Sequence, residues 1–308
     1  MDADAARKKD VPQLALARSG ADSVTARVIG GKVTAENLAI DATSKIAIGS
    51  HAGAGSGGVG GAAGAAFGAV IVKQQITAEL ASQVELSKSL SVNALTANLT
   101  AKPGVNVVSG AGALATGFAL GAAVSVAEIS NVTSSSVSGS VQADGIAVNA
   151  GDSLTTNTYA VGASGAVFGA AAAVAQSRRS AQVLAQVGDN AIIRSQRDVM
   201  GLPLLNTLSV KAELGGSVTA RSTAGSGGVA AGAGADATAL DDGEVTARIG
   251  QNAELEASKI ELGARAAPAT SAVAEGVGVA VGVGAGVSTS NATTSIKVAA
   301  IVDSGARL

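Results

Sequence analysis

The sequence contains no Cys and no Trp, one Tyr, three Phe, one His and four Pro. Without Cys there is no disulfide framework, no thiol nucleophile and no thiolate metal site, and one His removes the common His-based triads and His-rich zinc sites. Aromatic residues make up 1% of 308 residues, so no core here can lean on the side chains that bury the largest areas. The same scarcity leaves no sugar platform for a polysaccharide-cleaving cleft and no stacking platform for nucleic acid. Twenty-one basic and 23 acidic residues give a formal charge of −2, which offers no electrostatic footprint for phosphate backbones. The chain therefore reads as a non-enzyme with no cofactor, no metal site and no nucleic-acid partner. What it has in quantity is glycine, 41 residues, and a 47% hydrophobic content that is nearly all Ala, Val, Leu and Ile.

Two stretches, Gly53 to Val72 and Gly104 to Ala127, are uncharged over the length of a membrane helix. Their glycine density argues against one, because each Gly costs a soluble helix roughly 0.8–1 kcal/mol relative to Ala. Aromatic belts are missing as well. The start, Met1 to Asp10, is charged and lacks the apolar core of a signal peptide.

Internal repetition organises the rest. An aliphatic-x-aliphatic-x-Ala segment recurs from Leu38, Leu90, Ile146, Leu208 and Ile260. The starts lie 52 (38 to 90), 56 (90 to 146), 62 (146 to 208) and 52 (208 to 260) residues apart. The longest unit holds Arg194 to Asn206, which breaks the alternation and reads as an exposed loop insertion. A Gly/Ala/Val/Ser run follows each segment, and Phe67, Phe118 and Phe168 all fall inside such runs, 51 and 50 residues apart. Their spacing predicts equivalent positions that stack on one another and supply the interior with its few large side chains.

A third block alternates aliphatics with Thr and a charge, as in Val24-Thr25-Ala26-Arg27, Ile76-Thr77-Ala78-Glu79 and Val245-Thr246-Ala247-Arg248. In strands Val and Ala would face inward while Thr and the charges face water and discourage edge pairing. From Gly276 to Val287 valines alternate with a nearly all-glycine face, a bare face that lets another backbone approach closely. The pattern predicts an all-β fold, a parallel β-helix (β-solenoid) built from long degenerate repeats over 24–308, with 1–23 as a flexible or linking segment. With strands of five or six residues, each unit would span two or three coils. The last segment still reads as a strand, so the chain reads as a piece of a longer fibre.

The remaining polar candidates have plain readings. His51 reads as a turn residue; Asp236, Asp241, Asp242 and Glu244 as a solvated acidic turn; Arg178-Arg179 as an exposed basic turn. Asn93 and Asn149 share one repeat position, and an asparagine stack there would be interrupted by Asp41, Lys211 and Gly263.

Taken together, these blocks resemble the repeat regions of large bacterial surface exoproteins, the filamentous-haemagglutinin-like adhesins and leukotoxin-like β-strand-repeat proteins. The resemblance covers roughly Val24 to Val302 and rests on Val245 to Gly250, Asn252 to Ala257 and the Gly-Val run from Gly276. It implies secretion to the outer cell surface, a rigid fibrous stalk, and attachment to a receptor, protein or glycan, on a host cell or another bacterium. Open solenoid ends would allow self-association. The alternative is a membrane-active, leukotoxin-like protein whose Gly/Val strands insert into a bilayer. Ala47 to Ser56 is also similar to the short head repeats of trimeric autotransporter adhesins, although that period does not persist.

Overall fold

The computed structural model describes residues 13–99, 104–194 and 207–308, with side chains from residue 23 onward. Among these residues the chain is all-β, with sixteen strands and no helix. In order they are β1 (Gln13–Ala35), β2 (Leu38–Ile46), β3 (Ile48–Gly58), β4 (Gly61–Leu86), β5 (Ser89–Asn98), β6 (Val105–Ala115), β7 (Phe118–Gln142) and β8 (Gly145–Asp152). There follow β9 (Thr155–Gly165), β10 (Phe168–Val187), β11 (Ile192–Arg194), β12 (Thr207–Leu214), β13 (Ser217–Ile249), β14 (Glu254–Leu255), β15 (Lys259–Ala266) and β16 (Ala269–Val302). Strand β1 starts at Gln13, opposite Ala66 of β4, so pairing begins within the segment 1–23 that the sequence assigned to a linker. Of the expected insertion only Arg194, which ends β11, is described; 195–206 lie outside the described residues.

Every strand pairing among the described residues is parallel, in two sheets. The smaller runs β15-β12-β8-β5-β2 and pairs the recurring segments in register: Leu38 with Leu90, Leu90 with Ile146, Ile146 with Leu208, Leu208 with Ile260. Each repeat is therefore one circuit of the chain, which corrects the expectation of two or three coils per unit. The strands are longer than assumed, up to 34 residues in β16. The larger sheet joins β3, β6 and β9 to β1, β4, β7 and β10, because β13 and β16 serve both series. Ser217–Gly227 of β13 pairs with β9, and its stretch from Ala230 pairs with β10.

Two kinds of interior result. In the body, the inward aliphatics of the smaller sheet (Leu90, Val92, Ile146, Val148, Leu208, Val210) meet those of the long strands (Ile76, Leu80, Leu86, Val183, Val187, Val245, Ile249) in one continuous cluster. In the second region an outgoing arm (β3, β6, β9) and a returning arm (the first part of β4, β7, β10) face each other through Ala52, Ala111 and Ala160 against Ala66, Ala123, Ala171 and Ala173. Side chains this small bring the sheets close together and make a thin blade. A Cβ added at Gly121 would collide with the Ala163 carbonyl oxygen, and one at Gly278 with that of Ala285. The bare face of the Gly-Val run thus meets the returning arm of its own strand, and its valines point outward.

Outside the body, parallel register sets each position against its counterpart one circuit on. Arg27 bonds Glu79 at 2.9 Å, Lys32 bonds Glu85 at 2.7 Å and Lys211 bonds Glu261 at 3.1 Å. Hydrogen bonds from Lys259 and from Lys211 hold the Glu261 carboxyl below its ordinary value. Asn149 donates to Asn93 at 2.9 Å and Asn93 to Asp41 at 2.7 Å. Asp41 therefore continues the asparagine ladder instead of interrupting it, since a carboxylate accepts the amide proton as readily as a carbonyl does.

Leu208, 1% exposed, tests the body: Leu208→Ala should lower unfolding stability by about 2–4 kcal/mol in urea titration. Lys211→Ala, on the outer face, should change it by less than about 1 kcal/mol. For the blade, Gly121→Ala should cost about 1–3 kcal/mol through overpacking. Gly232→Ala, where nothing lies within 4 Å of the added carbon, should be close to neutral by the same measurement.

Candidate functional site: an apolar ridge and a buried charge cluster

The arms of the blade meet in tight turns, at Val59-Gly60, Thr116-Gly117, Ala166-Val167, Gly228-Val229 and Val281-Gly282. Backbone bonds stitch turn to turn: Phe118 N–H donates to the Gly60 carbonyl at 2.8 Å, Phe168 N–H to that of Gly117 at 2.9 Å, and Val229 N–H to that of Val167 at 2.9 Å. The turns thereby form a continuous edge. Apart from Thr116, whose hydroxyl accepts from the Gly60 N–H at 3.1 Å, its side chains are apolar and exposed: Val59 is 95% exposed, Leu114 69%, Phe118 63% and Val281 94%, with Leu120, Phe168, Val229 and Val283 beside them. The charges nearest this edge are Glu275, six residues before Val281, and Arg221 and Asp236, seven residues before Gly228 and after Val229, about 20–23 Å back at strand rise. A shallow hollow of about 370 Å³ beside the edge is lined by Gly55, Ser56, Gly112, Ala113, Leu114, Ala163 and Ser164.

The phenylalanines do not form a three-membered interior stack. Phe118 and Phe168 are in register with ring centroids 5.1 Å apart, interplanar angle 21°, but both lie on the outside of the blade. Phe67 pairs with Val124, while Gly61 sits opposite Phe118. Equal sequence spacing misplaced Phe67 because Phe118 and Phe168 directly follow their turns, whereas Phe67 comes six residues after Gly61.

The second constellation lies inside, where body and blade join. Arg179 and Asp241 are fully buried and paired bidentately, Nε to Oδ1 at 2.8 Å and Nη2 to Oδ2 at 2.6 Å. The remaining Nη1 donates to the carbonyls of Leu154 (2.8 Å) and Gly215 (2.7 Å). Neither residue is the solvated turn residue that the sequence suggested; both are strand residues of β10 and β13. The parity of Ala173, Ala175, Ser177, Arg179 and Ala181, all inward, and of Ala237, Ala239 and Asp241, is the sequence signal that would have revealed them. Their chain neighbours Arg178 and Asp242 face outward.

Asp152 is buried beside this pair. Its carboxylate accepts from Asn131 Nδ2 at 2.9 Å and from the Leu154 N–H at 3.0 Å. Burial pushes its pKa above the ordinary 3.8, against the lowering effect of those bonds and of Arg179; Asp241 adds a smaller upward push. Arg179 is already neutralised by Asp241, so an ionised Asp152 has no cation of its own. A protonated Asp152 could donate to Asn131 Oδ1, which has no protein partner, after an amide flip. A cavity of about 330 Å³ reaches Asp152 and is lined also by Leu95, Thr96, Glu213, Leu214 and Arg265. Lining by one carboxyl, one hydroxyl and a mouth of opposite charges gives it no convergent ligand set, and the cluster reads as a structural joint.

His51 lies in β3 on the exposed face, not in a turn. Asp236 and Glu244 likewise belong to β13. No group of three metal-ligating side chains occurs among the described residues, and no helix there is long and apolar enough to cross a membrane. Comparison with protein-family models, with curated proteins and with solved structures gave no match.

The joint yields two expected outcomes. A carboxyl whose folded pKa exceeds its unfolded one keeps protons that the unfolded chain releases, so its contribution favours folding most below 3.8 and declines as pH rises through the folded value. Asp152→Asn should therefore raise the Tm at pH 7 and flatten the Tm between pH 4 and 7; an unchanged pH profile would contradict a raised pKa. Arg179→Met should cost about 3–5 kcal/mol by leaving Asp241 buried and unpaired, and adding Asp241→Leu should recover most of it.

Proposed function

We propose that the chain is a β-solenoid segment of a secreted bacterial surface protein, a rigid module that presents an attachment surface. The observation that carries this reading is the in-register parallel stacking of successive repeats, Leu38 on Leu90 on Ile146 on Leu208 on Ile260. A structure that repeats along one axis stabilises itself rung by rung and has no natural limit to its length, which suits a stalk. The resemblance of the repeats to surface adhesins supports the cell-surface location and the adhesive role.

An adhesive module needs a contact surface. The body's outer face is committed to ion pairs and the asparagine ladder between rungs, while the apolar ridge has no intramolecular partner among the described residues. Contiguous exposed apolar surface of this kind is where soluble proteins make contacts. The ridge is therefore assigned as the attachment surface.

The test is cell attachment. Fluorescently labelled chain should bind bacterial or host cells, and Val59→Asp with Val229→Asp should lower binding at least tenfold while the far-UV circular dichroism stays strand-rich and unchanged. Unaltered binding by that variant would remove the ridge from the function. A compact particle in small-angle scattering, instead of an elongated one, would remove the solenoid.

A further inference from the structure

We propose that the ridge seats in the hydrocarbon boundary of a lipid bilayer, entering one leaflet shallowly without crossing it. This rests on the reading of the ridge as the contact surface and names what it contacts.

Three features select lipid over protein. The tip side chains Val59, Leu114, Phe118, Phe168, Val229 and Val281 carry no hydrogen-bonding group, and the turn backbone is engaged between rungs. A protein interface places about one hydrogen bond per 100–200 Å², whereas hydrocarbon requires none. The area is also short. The five described rungs at about 4.8 Å, with uncharged arms of about 20 Å, give roughly 500 Å² per blade face, below the roughly 800 Å² per partner of a stable complex. Finally the ridge is convex with apolar flanks on both sides, a shape that a fluid phase covers and a second folded chain does not.

The depth is set by the charges on the arms. Glu275, Arg221 and Asp236 lie about 20–23 Å back from the turns, and a charge drawn into hydrocarbon is costly. Entry by about 5–10 Å, the depth of interfacial elements, buries the valines and phenylalanines at the turns and keeps these charges in water, where headgroup charge has little hold on the ridge.

The chain contains no Trp, so a single introduced Trp reports its own surroundings. With phosphatidylcholine vesicles, Val59→Trp should shift its emission to the blue and be quenched by brominated acyl chains, in low salt and in 0.5 M salt alike. Gln182→Trp, on the exposed outer face of the body, should do neither. Absence of the shift in Val59→Trp, an equal shift in Gln182→Trp, or a response confined to vesicles containing phosphatidylglycerol and lost in salt would each overturn the proposal. A blue shift that grows with protein concentration in the absence of lipid would overturn it in favour of a second copy. Val59→Asp with Val229→Asp distinguishes the two readings. If it abolishes cell attachment although Val59→Trp ignores vesicles, the ridge is the contact surface and lipid is the wrong partner; if attachment is unchanged, the ridge itself is wrong.

Discussion

Everything in this fold depends on the parallel backbone ladder that pairs each residue with its counterpart one circuit later. Parallel pairing in register puts like positions side by side, so each column of side chains has to be compatible with itself along the axis. Aliphatic columns meet this demand without adjustment, as in Leu38, Leu90, Ile146, Leu208 and Ile260. Charged columns do not, because like charges placed side by side repel. The chain meets that difficulty by alternation: Arg27 lies beside Glu79, Lys211 beside Glu261, and Asp41, Asn93 and Asn149 pass hydrogen bonds along one column.

The buried pair follows the same rule. Arg179 and Asp241 are directly in register in adjacent rungs, at one inward position. A hydrophobic pair at this point would be comparably stable, so the pair is best understood by what its spare donor does. Nη1 binds the carbonyls of Leu154 and Gly215, both at the corners where the smaller sheet hands over to the outgoing arm. Corner carbonyls cannot join a strand ladder, and a buried one left unpaired is costly. The guanidinium thus closes two successive corners at once, and Asp152, held by Asn131, accepts the corner N–H of Leu154.

Much of the fold was legible in the sequence because its information is periodic. Alternation located the inward faces, and the five aliphatic segments fell into register as written. Three matters were not legible. Typical strand lengths hid the single-circuit repeat, since a run such as Gly61–Leu86 serves the blade in its first part and the body in its second. Spacing misplaced Phe67, because distance along the chain measures register only when the turns are aligned, and the turn before Phe67 is displaced by six residues relative to the others. Composition disguised Arg179, which sits among Gln176, Ser177, Arg178 and Ser180 and looks solvated until its parity is counted from Ala173. The ridge was half legible: the uncharged runs were plain, but that their midpoints are turns, gathered along one edge, requires the register.

The residues at those midpoints argue for a role beyond folding. Tight turns favour Gly, Asn, Asp and Ser, which supply positive φ or bond their own backbone, and exposed turn positions accept such residues without cost to a core. Gly60, with a φ of 100°, meets the geometric demand in its own turn. Yet Val59, Val167, Val229 and Val281 occupy four of the five turns, and Leu114, Phe118 and Phe168 flank two of them. A β-branched apolar residue at a solvated tip gains nothing from the sheet below it and exposes surface that water disfavours. Local rules are broken in this way where a fold presents something, and breaking the same rule in rung after rung along one edge makes the turns a single surface.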